Sequence, residues 1–575
     1  TLLPRIADLW SKQREEIVRS ADGITRKLEE AVNSGVGAGG PLQANLLDKT
    51  YEQIRSSYDP ASRGFGGAPL FPRPVIPNFL LRYWSRTQKK EALEMVVNNL
   101  HAMAAGGVHD HIGGGFHRYS TDGQWRVPHF EKMLYDQAQL AELYTEAYQA
   151  TKDPFYANVV RDILDFALRE MRSPEGAFYS ALDADSPLEK GKSEHGEGVF
   201  YVWTAAELEQ VLGKETASIF DFRYGVEPGG NVPSRQDIEG WLKGKNVLYE
   251  NHSLADTAKK FGKAEAQTSQ IVNDAKQKLF ARRSLRPPPP VDTKIITSWN
   301  GLMISALAKA SQVLDEPKYL EAASRTKSFL QAHAYQAATG KLKRRYRAGS
   351  ADIDGYLDDY AFLNQGLLDL YEASFDVRLL SWAIRLQQMQ DHLFWDQKQG
   401  GYFTTSGQDR SILLRTREAY DGVEPSPNSV AAMNLLRFWQ ITEQQTYRDK
   451  ADKTLTAFGP SLEQRPEAMP YMMSALDFSL AKPRQIVIAG ALGAEDTHAL
   501  LQLVWQRYIP NRVLLLADGA EGQKLLVHWV PSLATVKRKQ GRATAYICEN
   551  YVCNLPTTDP PTVARLLDGS RGVRK

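Results

Sequence analysis

The segment VPHFEKMLYDQAQLAELYTEAYQATKDPFY, residues 127–156, decides the fold because its pattern occurs twice more in the chain. It aligns without a gap with PVDTKIITSWNGLMISALAKASQVLDEPKY, residues 290–319, where Pro154 falls on Pro317. A third copy, DGYLDDYAFLNQGLLDLYEASFD, occupies residues 354–376. Recurrence of one helical pattern along a chain is typical of repeat architectures.

Short glycine–aromatic segments precede or separate these helices. They are GGGFHRYS (113–120), GAFYSALDAD (176–185) and GGYFTTS (400–406). Because glycine tolerates positive φ and aromatic residues favour strands, each segment is predicted to be a short hairpin or loop. A helix pair with such a loop cannot bury its own apolar face, and stacking several pairs around a ring solves that problem.

The helical periodicity extends over most of the chain, and no polar capping repeat marks an open array. Divided by six, the helical region gives about 72 residues per pair, which is enough for two helices and a functional loop. We therefore predict a mainly α protein in which residues 45–482 form an (α/α)6 barrel, a toroid of six helical hairpins.

The two ends of the chain differ from this helical middle. Residues 1–44 contain a polar amphipathic helix followed by a glycine-rich run, and they are predicted to be an N-terminal helix and linker. Near the other end, the strand-like runs QIVIA (485–489) and RVLLL (512–516) alternate with helical segments. This alternation predicts a small α/β accessory domain over residues 483–575.

Composition restricts the classes of function. The net charge of the 575 residues is +2, which gives no reason to expect nucleic acid or an anionic membrane as a partner. No apolar run approaches the roughly 20 residues that a membrane helix needs. The two cysteines are Cys548 and Cys553, and such low usage favours a cytoplasmic protein over a disulfide-stapled secreted one. Two reduced thiols are the expectation, with a regulatory disulfide as the alternative.

Histidine is concentrated in one part of the chain, the run HDHIGGGFH at residues 109–117 and its surroundings. A metal site needs three or four rigidly held ligands, whereas glycines loosen this segment and no cysteine contributes. We therefore expect neither a metal nor another cofactor. A neutral imidazole that hydrogen-bonds or moves a proton is the favoured interpretation of His117, since histidine titrates near working pH.

A second cluster contains His129 and Glu131, which follow Pro128. Proline suits the start of a helix, so both residues are predicted to lie in a first helical turn that faces the barrel mouth. The corresponding position of the third copy holds Asp358, and a further acid, Glu424, lies in a proline-rich loop. Carboxylates at helix N-termini are also favoured by the helix dipole alone, so a structural role is the alternative.

Aromatic residues crowd these acids, and aromatics with carboxylates around one concave mouth are what a sugar site needs. Rings stack on the apolar faces of pyranoses, and carboxylates accept hydrogen bonds from hydroxyl groups. A loop adds an acidic pair, Asp183 and Asp185, for which a structural turn is the alternative. The predicted catalytic residues are His117, His129, Glu131, Asp358 and Glu424. The predicted substrate-binding residues are Trp125, Asp183, Asp185, Trp299, Asn300, Asp359, Tyr360 and Asn428.

Several blocks of the sequence resemble a known family. They include GFGGAPLFPRP (64–74), GGVHDHIGGGFHRYSTDGQWRVPHFEKMLYDQAQL (106–140), FYSALDADS (178–186), DTKIITSWNGLM (292–303), DGYLDDYAFL (354–363) and EPSPNSVAA (424–432). These blocks are similar to the thioredoxin-domain-containing family of spermatogenesis-associated protein 20 and its bacterial relatives. The resemblance implies a large domain similar to N-acylglucosamine 2-epimerases and other six-hairpin sugar enzymes.

The resemblance also has departures. Members of the family usually begin with a thioredoxin-like domain. The resemblance implies that this sequence starts after that domain. Leu70 stands where the family pattern has Lys, His109 where it has Tyr, and Thr293 where it has a second Asp. Each change is a position at which substrate preference can differ.

Three functions compete. The first is a carbohydrate-active enzyme resembling N-acylglucosamine 2-epimerases, which isomerises or epimerises a small sugar by acid/base steps near C1, C2 and O5. The second is a glycoside hydrolase on the same toroid, which needs two carboxylates at a defined separation. The third is a non-catalytic binding or scaffold module that partners a thioredoxin-like domain or protein. Likeness of fold to epimerases is analogy, because one fold supports many functions.

Overall fold

Six helical hairpins close into a ring in this computed structural model, which describes residues 2–33, 37, 39–409, 411–550 and 552–569. The ring consists of α1 (Asn45–Ser57), α2 (Val75–Thr87), α3 (Lys90–Ala105), α4 (Leu134–Thr151), α5 (Pro154–Phe166), α6 (Thr297–Leu314), α7 (Pro317–His333), α8 (Leu357–Ser374), α9 (Val377–Phe394), α10 (Pro427–Thr442), α11 (Gln445–Ala457) and α12 (Pro470–Leu480). The even-numbered helices surround the axis, each packed on the next and α12 packed on α2. The odd-numbered helices cover them, and α1 covers α12. The predicted (α/α)6 barrel is confirmed.

The repeats in the sequence correspond to these hairpins. The aligned residues Pro154 and Pro317 are the first residues of the outer helices α5 and α7, where proline's missing N–H is not needed. The inner helices α4 and α6 begin at equivalent positions of the first two copies. Helix α8 of the third copy is buried over almost its whole length, as expected for a helix enclosed on all sides.

The inner helices α6 and α8 approach so closely that two glycines meet where they pack. A Cβ atom on Gly301 would lie 2.6 Å from the backbone nitrogen of Leu363. A Cβ atom on Gly366 would lie 2.5 Å from the carbonyl oxygen of Gly301. Both obstacles are backbone atoms, so neither can turn aside as a flexible side chain could.

Gly301→Ala is therefore expected to destabilise the protein. Alanine gains up to about 1 kcal/mol of helix propensity over glycine, but overpacking against backbone costs about 1–3 kcal/mol. The free energy of unfolding in urea measures the difference. Gly23→Ala is the matched control, because nothing lies within 4 Å of a Cβ there, and it is expected to be neutral or stabilising. A Gly301→Ala variant as stable as Gly23→Ala would contradict this packing.

A small sheet with flanking helices follows the barrel. Its strands are β1 (Arg484–Ala489), β2 (Arg512–Ala517), β3 (Thr544–Glu549) and β4 (Val552–Cys553), in the order β2-β1-β3-β4. Strands β1 and β2 are parallel, whereas β3 is antiparallel to β1 and to β4. The flanking helices are Glu495–Trp505, Glu521–Val527 and Pro560–Asp568.

The two cysteines lie opposite each other in this sheet. The register of β3 and β4 pairs Cys548 with Cys553, and the two sulfur atoms form a disulfide. The expectation of two reduced thiols is therefore wrong. Four residues separate the cysteines in the sequence, and the antiparallel pairing of β3 with β4 brings the two side chains together.

Two further parts complete the chain. Helices Leu2–Lys12 and Arg14–Asn33 precede the barrel, and an insertion between α5 and α6 carries helices Ala205–Leu212, Lys214–Tyr224, Leu254–Lys260 and Glu265–Arg283. Within the described ranges, every helix is too short or too polar to cross a membrane.

Candidate active site

One end of the barrel, where the inner helices begin, carries the acidic and aromatic residues singled out in the sequence. Trp299 lies in the first turn of α6, and its Nε1 donates a hydrogen bond to Oε2 of Glu424 at 2.9 Å. Its ring meets Tyr135 of α4 edge-on, with the ring centroids 4.9 Å apart. Asp358 lies in the first turn of α8. Residues that are far apart in the sequence thus form one mouth.

Two neighbouring carboxyl groups at this mouth have different environments. Burial raises the pKa of Glu424 to about 8, and the negative charge of Asp358 adds to this rise. Asp358 itself forms an ion pair with Arg344, whose Nη1 lies 2.8 and 2.9 Å from the two carboxylate oxygens. Near neutral pH, Glu424 is therefore mostly protonated while Asp358 is paired with a cation.

Asp359, the neighbour of Asp358 in the sequence, has a structural role. Its side chain is buried and accepts hydrogen bonds from the backbone nitrogens of Ser298, at 3.0 Å, and Tyr356, at 2.9 Å. Burial raises the pKa of Asp359 to about 8, and the charge of Asp358 adds to the effect. Asp359 thus caps α8 and ties it to α6, and no part of it faces solvent.

The prediction that His129 and Glu131 lie in the first turn of a helix is wrong. Pro128–His129 is a short strand paired with Tyr119–Ser120, and α4 begins only at Leu134. Lys132–Met133 form a second short strand directly before the helix, and Glu131 lies in the link between the two strands.

His129 lies between two carboxylates. Its Nδ1 is 2.7 Å from Oε1 of Glu197, and its Nε2 is 3.5 Å from Oε2 of Glu131. Burial alone would lower the pKa of His129, but hydrogen bonds and charge from the two glutamates outweigh burial and raise the pKa to about 9. At neutral pH the imidazole is therefore a cation with both nitrogens engaged. Arg118 lies 3.1 Å from Glu131 and completes the cluster.

The stabilisation by His129 is expected to depend on pH with a definite sign. Because the folded-state pKa lies above the unfolded value near 6.5, the contribution is complete below about pH 6.5 and is lost as pH rises through about 9. The free energy of unfolding should therefore differ most between wild type and His129→Gln near pH 6, and least near pH 10. Urea titrations across this range provide the measurement. A difference that grows with pH would contradict the ion pairs.

Three predicted site residues lie below the mouth. His117 is buried, its Nδ1 is 2.9 Å from the carbonyl oxygen of Phe130, and burial holds its pKa well below the usual value. Trp125 is buried and donates from Nε1 to the carbonyl oxygen of Ser62 at 3.0 Å. The hydroxyl of Tyr360 accepts from the backbone of Leu342. These side chains support the mouth and do not line it.

Asn300 and Asn428 hold the glycine–aromatic turns, which are short hairpins as predicted. The backbone N–H of Phe178 donates to Asn300 at 2.8 Å, and the Asn300 amide donates to the Phe178 carbonyl at 3.0 Å. Asn428 makes the same two bonds to Tyr402. Their amide groups are thus occupied by backbone. Gln137 forms the same two hydrogen bonds with the backbone of Phe116 in the first glycine–aromatic turn. Gln137 aligns with Asn300 in the sequence repeat, and this alignment indicates that the two residues have the same role.

Asp183 and Asp185 lie at the rim. Both side chains are exposed, and the backbone N–H of Asp185 donates to the Asp183 carboxylate at 3.1 Å. Asp185 and Glu197 lie opposite each other in the two antiparallel strands of a short hairpin. This hairpin therefore carries the Glu197 carboxylate that contacts His129. Burial raises the pKa of Asp185, and Asp183 and Glu197 contribute to the rise.

The histidine side chains of the histidine-rich loop form hydrogen bonds with other parts of the protein. Nε2 of His109 lies 2.8 Å from Oδ2 of Asp162, and Nε2 of His111 lies 2.9 Å from the carbonyl oxygen of Gly106. Across the described part of the chain, no group of three or more His, Cys, Asp or Glu side chains is placed to hold a metal ion.

Besides Glu197 and Arg118 of the His129 cluster, two further charged residues of the site, Arg344 and Asp136, were missed in the sequence. Arg344 comes from the long strand Lys341–Arg347, and no local pattern indicates that this strand reaches the mouth. Asp136 is buried in the first turn of α4, and its carboxyl oxygens have no hydrogen-bond partner among the described residues. Burial raises its pKa well above the usual value, and Glu424 adds to the rise. Its alignment with Trp299 across the repeat could have identified it.

Comparisons with known proteins give relatives over nearly the whole chain. The chain is 40% identical over 591 residues to spermatogenesis-associated protein 20 of Homo sapiens, which covers 99% of this chain and 75% of that protein. It is 33% identical over 582 residues to an uncharacterized protein of Caenorhabditis elegans, which covers 97% and 77% respectively. Among solved structures, the GH76 α-mannanase BT2949 of Bacteroides thetaiotaomicron overlaps with a TM-score of 0.41 and 11% identity, over 75% of this chain and 94% of that one. No family model matches the chain.

Proposed function

The chain belongs to the family of spermatogenesis-associated protein 20, and we propose that it is a carbohydrate-active enzyme that transfers protons with Glu424 and Asp358. The observation that carries this proposal is the difference between the two carboxyl environments. Glu424, with a pKa of about 8, can donate a proton, and Asp358, paired with Arg344, is its charged partner. Titratable neighbours whose environments separate their pKa values are typical acid and base assignments.

The surroundings of this pair favour a sugar as the substrate. Tyr119 stacks on both Phe71 and His129, with the ring centroids 4.4 and 5.0 Å apart. Trp299 is partly exposed and presents ring surface at the mouth. Such ring faces bind the apolar faces of pyranoses, while the charged groups around them accept or donate hydrogen bonds to hydroxyls. The cations and carboxylates at the mouth largely pair with one another, which favours a neutral substrate.

Two reactions can use this arrangement. Isomerisation or epimerisation needs an acid near O5 and a base near C2. His129 is a cation held between two carboxylates, and His117 is buried. Carboxyl groups would therefore have to supply both the acid and the base. Glycoside hydrolysis is the second candidate, and the carboxyl pair favours it specifically, because a protonated acid and a second carboxylate are what that reaction requires.

Proton NMR in deuterated water separates these reactions. Wild-type protein is incubated with reducing monosaccharides and with oligosaccharides. Loss of the C2 proton signal indicates isomerisation or epimerisation, and new reducing-end signals indicate hydrolysis. Binding without either change would contradict an enzymatic role. It would support a non-catalytic module, for which a thioredoxin-like protein is the proposed partner.

A further inference from the structure

The C-terminal sheet has a cleft of its own, which we name the basic cleft. It is an open cavity of about 690 Å³, lined by Ala517, the last residue of β2, and by the segment from Ala534 to Gly541 that leads into β3. The parallel strands β1 and β2 end together, and β3 begins beside them. In open sheets with parallel strands, ligands bind outside the carboxyl ends of those strands. The basic cleft lies at that end of the sheet.

The cations of the basic cleft have little counter-charge. Its lining includes Lys524, Lys537 and Arg538, and no acid is among its described lining residues. The side chains of Lys537 and Arg538 are exposed, and within the described ranges neither forms an ion pair. Lys524 lies 3.7 Å from Glu521, but the two side chains are 77% and 76% exposed, so this pair contributes little. The mouth differs, because its cations and carboxylates largely pair with one another.

Two acids near the basic cleft are already engaged by backbone. Oδ1 of Asp518 accepts hydrogen bonds from the backbone nitrogens of Ala520 and Gln523, each at 2.8 Å. Oδ2 of Asp496 accepts from the backbone nitrogen of Ala543 at 2.7 Å, although the charge of Arg538 also acts on this carboxylate. Neither acid lines the cleft. The described residues therefore leave the positive charge of the cleft largely uncompensated.

Hydrogen bonds hold the walls of the basic cleft in place. Oε1 of Gln523 accepts from the backbone nitrogen of Gly519 at 2.9 Å, and its Nε2 donates to the carbonyl oxygen of Val536 at 3.0 Å. The hydroxyl of Tyr546 in β3 donates to the carbonyl oxygen of Lys537 at 2.7 Å. The backbone that carries the cations is therefore fixed before a ligand arrives, which lowers the entropic cost of binding.

The charge and size of the basic cleft indicate the chemical class of its ligand. Three cations match the charge of about −1.5 to −2 that a phosphate monoester carries near neutral pH. Lysine and arginine are the usual side-chain donors to phosphate oxygens. The volume lies within the 300–1,000 Å³ typical of small-molecule pockets. Val527 and Val536 add apolar surface against which an organic body can pack.

We propose that the basic cleft binds a small organic phosphate. A sugar phosphate and a nucleoside monophosphate are two sources of this chemistry, because they share the phosphate group and differ only in the body attached to it. The site rests on the charges of the C-terminal sheet and does not depend on the function proposed for the mouth.

Isothermal titration calorimetry with glucose 6-phosphate, adenosine monophosphate and inorganic phosphate tests this site. At least one organic phosphate is expected to bind wild type more tightly than inorganic phosphate does, and the tighter of the two identifies the source. Lys537→Gln and Arg538→Gln should each weaken that binding about tenfold or more, because each removes a charged donor to the phosphate.

Two variants serve as controls. Lys482→Gln removes the same charge from an exposed residue that precedes β1 and so lies at the other end of the sheet. Trp299→Ala alters the mouth, where a sugar phosphate could be held by its sugar. Both variants are expected to bind the organic phosphate as wild type does.

Failure of wild type to bind either organic phosphate would overturn the site, as would equal affinity in wild type, Lys537→Gln and Arg538→Gln. An equal loss in Lys482→Gln would mean that net charge alone attracts the anion, and a loss in Trp299→Ala would assign the ligand to the mouth; both overturn the site. Inorganic phosphate that binds as tightly as the organic phosphates would contradict the role of the apolar walls. Phosphate binding in the cleft without any sugar bound at the mouth would contradict the proposed function but not this inference.

Discussion

Glu424→Gln is expected to lower turnover by about 10²–10⁴-fold, the usual scale for loss of an acid/base group, while the protein stays folded and binds sugar. Glutamine keeps the size of the side chain and can still accept the hydrogen bond from Trp299. It cannot supply a proton. In wild type, turnover should fall as pH rises through about 8, because the protonated form of Glu424 is then lost. The measurement is the initial rate of sugar conversion as a function of pH.

Glu418→Gln is the matched control for this prediction. Glu418 is exposed, and its negative charge contributes to the raised pKa of Glu424. Its removal should shift the upper limit of the pH profile to lower pH without abolishing turnover. If Glu424→Gln turned over sugar at the wild-type rate, Glu424 would not be the proton donor.

Asp110→Ala is expected to destabilise the protein by about 3–5 kcal/mol, the usual effect of removing one partner of a buried ion pair. The Asp110 carboxylate lies 2.8 Å from Nη1 of Arg283 and 2.8 Å from Nζ of Lys132. All three side chains are buried. Burial lowers the pKa of Lys132 to about 8 even though Asp110 opposes the shift. Without Asp110, the two buried cations would lose the carboxylate that they share.

The free energy of unfolding in urea measures this effect. Asp8→Ala is the control, because the ion pair of Asp8 with Lys12 is exposed, and exposed pairs contribute about 0–1 kcal/mol. Loss of less than about 1 kcal/mol in Asp110→Ala would show that the triad does not hold the histidine-rich loop to the helix Glu265–Arg283.

The repeats made the fold predictable, because a helix start recurs at a fixed offset. Leu134 and Thr297 begin α4 and α6 at equivalent positions, whereas α8 begins at Leu357, about one turn earlier than the alignment implies. That difference is why Asp358 lies in a helix and its counterpart Glu131 does not. Periodicity identifies a helix more reliably than it places its first residue.

The site was only partly predictable for a related reason. Glu424 and Trp299 lie at the mouth, as their positions before and at helix starts suggested. The partners that fix the protonation of these groups are distant in sequence. Glu197 raises the pKa of His129 from 68 residues away, and Arg344 reaches Asp358 from a strand. Local sequence patterns do not reveal such pairings.

The most direct test of the central claim is equilibrium binding of a defined panel of neutral mono- and oligosaccharides, measured by calorimetry on wild type and on Trp299→Ala. We predict that at least one sugar binds wild type and that Trp299→Ala weakens its binding at least tenfold, because the mouth loses an accessible ring face. The control is Trp241→Ala, since Trp241 lies in the insertion, where its Nε1 donates to Glu239. If no sugar in the panel binds, or if Trp299→Ala binds as tightly as wild type, the mouth is not a carbohydrate site.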